Sequence, residues 1–134
     1  MSSESLSELY IPEMPVDEEK LIGALKSYLR IVPEPNRFRF EEPYQQLNEE
    51  NQILTILLGQ LAWRELVNDS NSASLTPMEV SKYSEIGLGR LYPKLRRLEQ
   101  EGIVENAQGR YYVNTDRLNE AIKRIQGKVP AGMV

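Results

Sequence analysis

The 134 residues contain no cysteine and no histidine. That removes disulfides, thiol catalysis, Cys/His zinc sites and any triad or general base built on imidazole from the chemistry these residues can perform. Long apolar runs are missing too. No stretch approaches the run of about 20 apolar residues that spans a bilayer, and the first residues lack the basic-then-apolar pattern of a secretory leader. A cytoplasmic protein without a membrane partner is the expectation. No glycine-rich phosphate loop is present. The carboxylate pairs Glu18/Glu19, Glu41/Glu42 and Glu49/Glu50 are sequence neighbours in polar surroundings, whereas a catalytic pair needs opposed positions in a desolvated cleft. The chain is therefore not expected to be an enzyme, and no residue pattern calls for a cofactor or a metal.

What the chain does have is charge, unevenly divided. Residues 1–75 hold six Lys/Arg and thirteen Asp/Glu, while residues 76–134 hold ten and seven. The net charge of −4 thus conceals a basic C-terminal half and an acidic remainder. Binding to nucleic acid depends on local phosphate contacts rather than on total charge, so the balance leaves it open. A mere difference in the composition of solvated faces is the plainer account of the same split.

The basic half is organised around Ser84–Val104, SEIGLGRLYPKLRRLEQEGIV. Leu88, Leu91, Tyr92, Leu95 and Leu98 recur at spacings of three and four, which predicts an amphipathic helix with that stripe against a core. Arg90, Lys94 and Arg97 follow at i, i+4 and i+7 on another face, so three cations project together. A helix starting near Gly89 would hold Pro93 in its first turn, where a missing N–H costs nothing. Gly102 is the expected stop. Ile103-Val104 and Tyr111-Tyr112-Val113 then read as the arms of a hairpin turning at 106–109.

Gly89-Arg90-Leu91-Tyr92-Pro93-Lys94-Leu95-Arg96-Arg97-Leu98-Glu99, followed by Glu101-Gly102-Ile103-Val104, resembles the recognition helix and wing entry of the PadR-like transcriptional regulators. Gly109-Arg110-Tyr111-Tyr112 and Thr115 are similar to that family's second wing strand and the start of its next helix. The resemblance covers roughly residues 76–126 and is most specific over 89–104. It implies a winged helix-turn-helix: a mainly α, α+β fold with a helical core, a two- to three-stranded β-wing, and added N- and C-terminal helices. It also implies a homodimer formed through those added helices, with simple packing of the N-terminal helix within the chain as the alternative. Any small-molecule effector is left unidentified, since no residue marks a pocket.

The remaining chain fits around this unit. Residues 1–16 are Ser-rich and acidic, expected as a tail or a strap across the domain. Asp17 reads as the N-cap of a helix over about 17–31, with Leu21, Ala24, Leu25, Tyr28 and Leu29 as its stripe. Pro33-Glu34-Pro35 is a rigid break. Arg37-Phe38-Arg39-Phe40 alternates like a short half-buried strand; basic residues interleaved with aromatics also describe single-strand platforms, but two repeats are too few to carry that. From Tyr44 to Val67 one long helix is expected, apolar on several sides, with Trp63 as a core residue or, alternatively, the wall of a ligand pocket. Residues 68–74 are a polar loop. Thr76, Pro77 and Glu79 have the pattern of a capping box opening a short helix to about Tyr83, with Met78 or Val80 and Tyr83 inward. Thr115 is expected to cap a last helix carrying Leu118, Ala121, Ile122 and Ile125 inward, ended by Gly127 and Pro130. The division that follows is an N-terminal extension over 1–43, a winged-helix domain over 44–126 and a flexible tail over 127–134.

Two functions from different classes follow. The first is sequence-specific binding of double-stranded DNA by a regulator, more a repressor than an activator because no segment recruits polymerase. Arg90, near the helix start, is then the base reader, since a guanidinium pairs with guanine through two hydrogen bonds. Lys94 and Arg97 contact phosphates, as do Lys82 before the turn and Arg110 on the wing, while Ser84 and Tyr92 complete the expected contact set. Thr76 also carries a hydroxyl, but as the expected cap. The plainer account of Arg90, Lys94 and Arg97 is a solvated helix face. The second function is that of a winged-helix protein–protein adaptor without direct DNA binding.

Overall fold

A computed structural model describes residues 16–32, 37–67 and 73–127. The expectations for the N-terminal tail, the Pro33-Glu34-Pro35 break, most of the 68–74 loop and the C-terminal tail beyond Gly127 lie outside them. The chain is a mainly helical α+β mix with two small antiparallel two-stranded sheets. Among the described residues no helix is long and apolar enough to cross a membrane.

Helix α1, Glu18–Leu25, opens as expected: the Asp17 carboxylate accepts from the Lys20 amide at 3.1 Å. It ends a turn and a half before residue 31, a correction to the single helix expected there. Residues Leu29–Ile31 leave the helix to form β1, which pairs antiparallel with β2, Phe38–Phe40, in the register Leu29↔Phe40, Arg30↔Arg39, Ile31↔Phe38. Ile31 is β-branched and suits the pleated conformation. The expected alternation over 37–40 holds, with Phe38 buried, Phe40 half-buried and Arg39 exposed between them. A short helix α2, Glu42–Gln45, follows.

The helix expected over 44–67 is in fact interrupted. Helix α3 runs Glu49–Val67, with Asn48 as a separating cap whose side chain accepts from the Asn51 amide at 2.8 Å. Asparagine at that position satisfies an orphan donor and lets a new helix begin, so α2 and α3 are distinct. Every residue from Ile53 to Leu61 is buried. This helix is the axis of the molecule: α1, β1 and the later elements Pro77–Ser84, Leu88–Gln100, Arg110–Val113 and Leu118–Ile125 all pack against it. Gly59 is what admits the β1–β2 hairpin, because a Cβ there would lie 3.0 Å from Leu29 Cδ2 and 3.1 Å from Phe38 Cε1.

Helix α4, Pro77–Ser84, carries the full capping box. Thr76 Oγ1 accepts from the Glu79 amide and Glu79 Oε1 accepts from the Thr76 amide, at 3.2 and 2.9 Å. Val80 is its buried residue and Tyr83 is partly buried, whereas Met78 is exposed. After a turn, α5 runs Leu88–Gln100. It starts earlier than Gly89 because extended Gly87 offers its carbonyl to the Arg90 and Leu91 amides. Pro93 is therefore inside the helix and not in its first turn, leaving the Gly89 carbonyl without the amide it would normally meet. Gly102, at φ +79°, closes α5. The Ile103 amide returns to Leu98 O and the Gly102 amide to Glu99 O, the paired bonds of a Schellman end.

Strands β3, Val104–Ala107, and β4, Arg110–Val113, form a ribbon joined by Gln108-Gly109, both at positive φ. That tight turn is narrower than the four residues expected. Leu75 adds an isolated antiparallel bridge to Tyr111, with both amides donating at 2.8 Å. Asn114, one residue before the expected Thr115, caps the 3₁₀ turn Thr115–Arg117 that leads into α6, Leu118–Ile125. Leu118, Ala121, Ile122 and Ile125 are buried as expected.

A single core cluster reaches from Leu21 to Ile125. The N-terminal extension is part of it: α1 packs on α3 and α6, and the Tyr28 hydroxyl donates to Ile125 O at 2.7 Å. The apolar stripe of α1, for which packing on the domain or on a second subunit were both open, is filled within the chain, as is the inward stripe of α6.

Candidate nucleic-acid interface

Helix α5 divides its residues as an amphipathic helix must. Leu91, Leu95 and Leu98 are fully buried against α3, α4 and β3. Tyr92, expected in that stripe, is instead 40% exposed, because it falls on the edge of the stripe away from the three cations. Leu88 is partly buried. Arg90, Lys94 and Arg97 do share the outward side, as their spacing predicts.

That outward side meets the N-terminus of α3. Arg90 Nη2 lies 2.9 Å from Glu49 Oε2, and Lys94 Nζ lies 3.5 Å from Glu49 Oε1. Arg97 Nη1 is 3.3 Å from Glu50 Oε2, whose other oxygen is 3.0 Å from Arg124 Nη1 of α6. Arg124 reaches on to Glu101 at 2.7 Å. Three helices are thus laced together across one charged surface. Sequence reasoning missed Glu49 and Glu50. Their adjacency was visible, but the helix break at Asn48 that turns them toward α5 was not.

These pairs are partly exposed, with the Arg90 side chain 64% accessible. Each is worth about 0–1 kcal/mol in such a setting. They hold the cations in place without removing them from reach of a stronger anion.

The other expected contacts separate. Lys82 is exposed on α4. Ser84 Oγ accepts from the Ile86 amide at 3.1 Å, tightening the turn into α5. Arg110 stays partly exposed but turns from the ribbon toward the start of α4: Nε donates to Ser74 Oγ at 2.9 Å, and Nη2 donates to Ser74 O at 3.1 Å and meets Glu79 at 3.4 Å. It ties the Leu75 bridge to the α4 cap, a structural task. Thr76 is engaged as the cap.

Trp63 is partly buried, and the Arg37 guanidinium covers its ring at 4.9 Å. The neighbouring aromatics lock the β1–β2 hairpin to the helices. Phe38 meets Tyr83 edge-on with ring centroids 5.1 Å apart, and Phe40 stacks on Tyr44 at 4.2 Å. The Tyr44 hydroxyl is buried without a hydrogen-bond partner among the described residues. Burial raises its pKa well above the ordinary phenol value, and the Glu85 carboxylate adds to the effect. A cavity of about 230 Å³ lies between the start of α1 and the Thr115–Asn119 segment, lined by none of the seven expected contact residues. No group of three or more His, Cys, Asp or Glu among the described residues could hold a metal ion.

Comparison with protein-family models, with curated proteins and with solved structures found no match to this chain.

Proposed function

We propose that this chain is a winged-helix regulator of transcription, PadR-like in α5 and its flanks, that binds double-stranded DNA and acts as a repressor. The observation that carries the reading is the Leu75–Tyr111 bridge. It adds a third, minimal strand to the β3–β4 ribbon and gives the order helix, strand, helix, turn, helix, ribbon from α3 to β4. In a winged helix that order offers the last helix to the major groove and lays the ribbon along the adjacent backbone. Here α5 is the helix so offered, with Arg90 in its first turn as base reader and Lys94 and Arg97 as phosphate contacts. Lys82 on α4 and Tyr92 on α5 are both exposed and belong to the same contact set. Arg110 leaves the contact set because it is engaged with Ser74 and Glu79.

A homodimer on a two-half-site operator belongs to the same reading. Its contact would use surface other than the stripes of α1 and α6, which are buried in the chain. An adaptor that docks protein and not DNA is the second reading, and the pairing of Glu49 and Glu50 with the α5 cations favours it. The test is selection from a randomised duplex pool at two salt concentrations. An enriched motif with two half-sites, weakening as salt rises, supports the regulator and its dimer. No retention by a folded sample at low salt transfers the case to the adaptor.

A further inference from the structure

The α5 cations are not a free basic surface, and the residue that answers two of them is Glu49. We propose that Glu49 is a specificity-determining residue of the DNA interface, one that positions Arg90 and penalises contact with non-cognate duplexes. The inference rests on the DNA-binding reading of α5. One oxygen of Glu49 holds the Arg90 guanidinium at 2.9 Å and the other reaches Lys94 at 3.5 Å. A guanidinium on a flexible stem loses less freedom on meeting a base edge when a carboxylate already fixes it.

The same carboxylate stands where a phosphate would approach Arg90 and Lys94. Any duplex must bring its backbone toward Glu49, and its phosphates can take up Lys94 or Arg90 only by displacing the pairs made there, whereas a base edge can meet Arg90 while Glu49 still holds it. A cognate site offsets this with base hydrogen bonds, whereas a random site offers only phosphates and meets the repulsion uncompensated. An acidic residue serving only the dipole at the start of α3 would do so pointing into solvent. Glu49 instead bridges two side chains of another helix. Glu50 has a different part: its side chain is only 18% exposed and joins Arg97 of α5 to Arg124 of α6, a packing role.

The experiment compares the full chain with its Glu49→Gln variant on two probes. One is the duplex enriched from a randomised pool by the parent; the other is a scrambled duplex of the same base composition. Glu120→Gln is the control, since it removes an equal charge from an exposed pair with Arg117 at the start of α6. Glu49→Gln is expected to bind the scrambled duplex about tenfold more tightly while gaining less on the enriched one, so selectivity falls. Its dependence of log affinity on log salt should steepen by about 1 to 2, as Arg90 and Lys94 become free to neutralise phosphates. Glu120→Gln should keep the parental selectivity. If the parent selects a motif and Glu49→Gln keeps the same ratio, or if Glu120→Gln lowers it equally, the role of Glu49 is overturned and the DNA-binding reading stands. If the folded parent binds neither duplex, the DNA-binding reading itself falls.

Discussion

The two faces of α5 obey different rules although they belong to the same thirteen residues. On the inward face, chemistry follows from spacing. Leucines three and four apart must share a side, and a side that apolar must be covered, so Leu91, Leu95 and Leu98 are buried wherever the helix packs. On the outward face, spacing places the three cations together but does not give their electrostatic meaning. That depends on Glu49 and Glu50, some forty residues earlier, which half-answer them. Hydrophobic burial is non-directional and local in sequence pattern, while the value of a charge is set by whatever else the fold brings within a few ångströms.

The largest effect breaks the inward face. Leu95 is 0% exposed at the middle of α5, where truncation leaves a cavity between α3, α4 and the ribbon. Leu95→Ala should cost about 2–5 kcal/mol of stability, read by denaturant unfolding at unchanged slope. A loss below 1 kcal/mol would mean that α5 is not fixed by this stripe. The outward face should respond in binding and not in folding. Arg90→Ala should cost about 1–3 kcal/mol at one base position of the selected motif. Its unfolding midpoint should barely move, because an exposed ion pair contributes only about 0–1 kcal/mol. A variant that binds selected and random duplexes as the parent does would show that Arg90 reads no base.

The same division explains what the sequence made legible. Devices that act within a few residues were readable: the Thr76–Glu79 capping box, the Gly102 stop, the hairpin arms and the α6 stripe all stand where local chemistry puts them. Partnerships between distant segments were not. Leu29 continues a helical spacing from Leu21 and Leu25, and only its pairing with Phe40 makes it a strand. Asn48 reads as one polar residue in a helical run until its side chain caps the Asn51 amide and divides that run. Arg110 looks like a wing cation until Ser74 and Glu79 claim it. For the interface, the cations were legible, and their carboxylate partners were not.

A smaller effect, dependent on pH, links α2 to the turn into α5 through Tyr44 and Glu85. Tyr44 is buried with its phenol pKa raised, by burial first and by Glu85 second. A raised folded-state pKa means that the native chain holds this proton more tightly than the unfolded chain. The contribution is therefore complete below the unfolded phenol value of about 10 and is lost as pH rises beyond it. Stability should fall on the alkaline side of that value. Tyr44→Phe should flatten the fall, and near neutrality it should cost little, since it also removes a buried hydroxyl that has no partner among the described residues. An alkaline limb identical in both proteins would assign the loss to other groups.

The smallest expected effect is at Glu85 itself, which ends α4 at φ +63°. A side chain in that left-handed conformation carries strain that glycine lacks, and helices commonly place glycine there. The fold tolerates glutamate because the Glu85 amide still returns to Ser81 O at 2.8 Å and Ser84 Oγ receives the Ile86 amide. Glu85→Gly should therefore stabilise the chain by about 0.5–1 kcal/mol, the relief of strain exceeding the added freedom of the unfolded glycine. It should also lower the Tyr44 pKa, because one of the two causes raising it disappears while burial remains. Thermal unfolding and a phenolate absorbance titration of the same variant check both at once. A destabilised variant would mean that the Glu85 side chain holds the turn through contacts stronger than the backbone strain, and the approach of α5 would then depend on a charge as well as on its leucines.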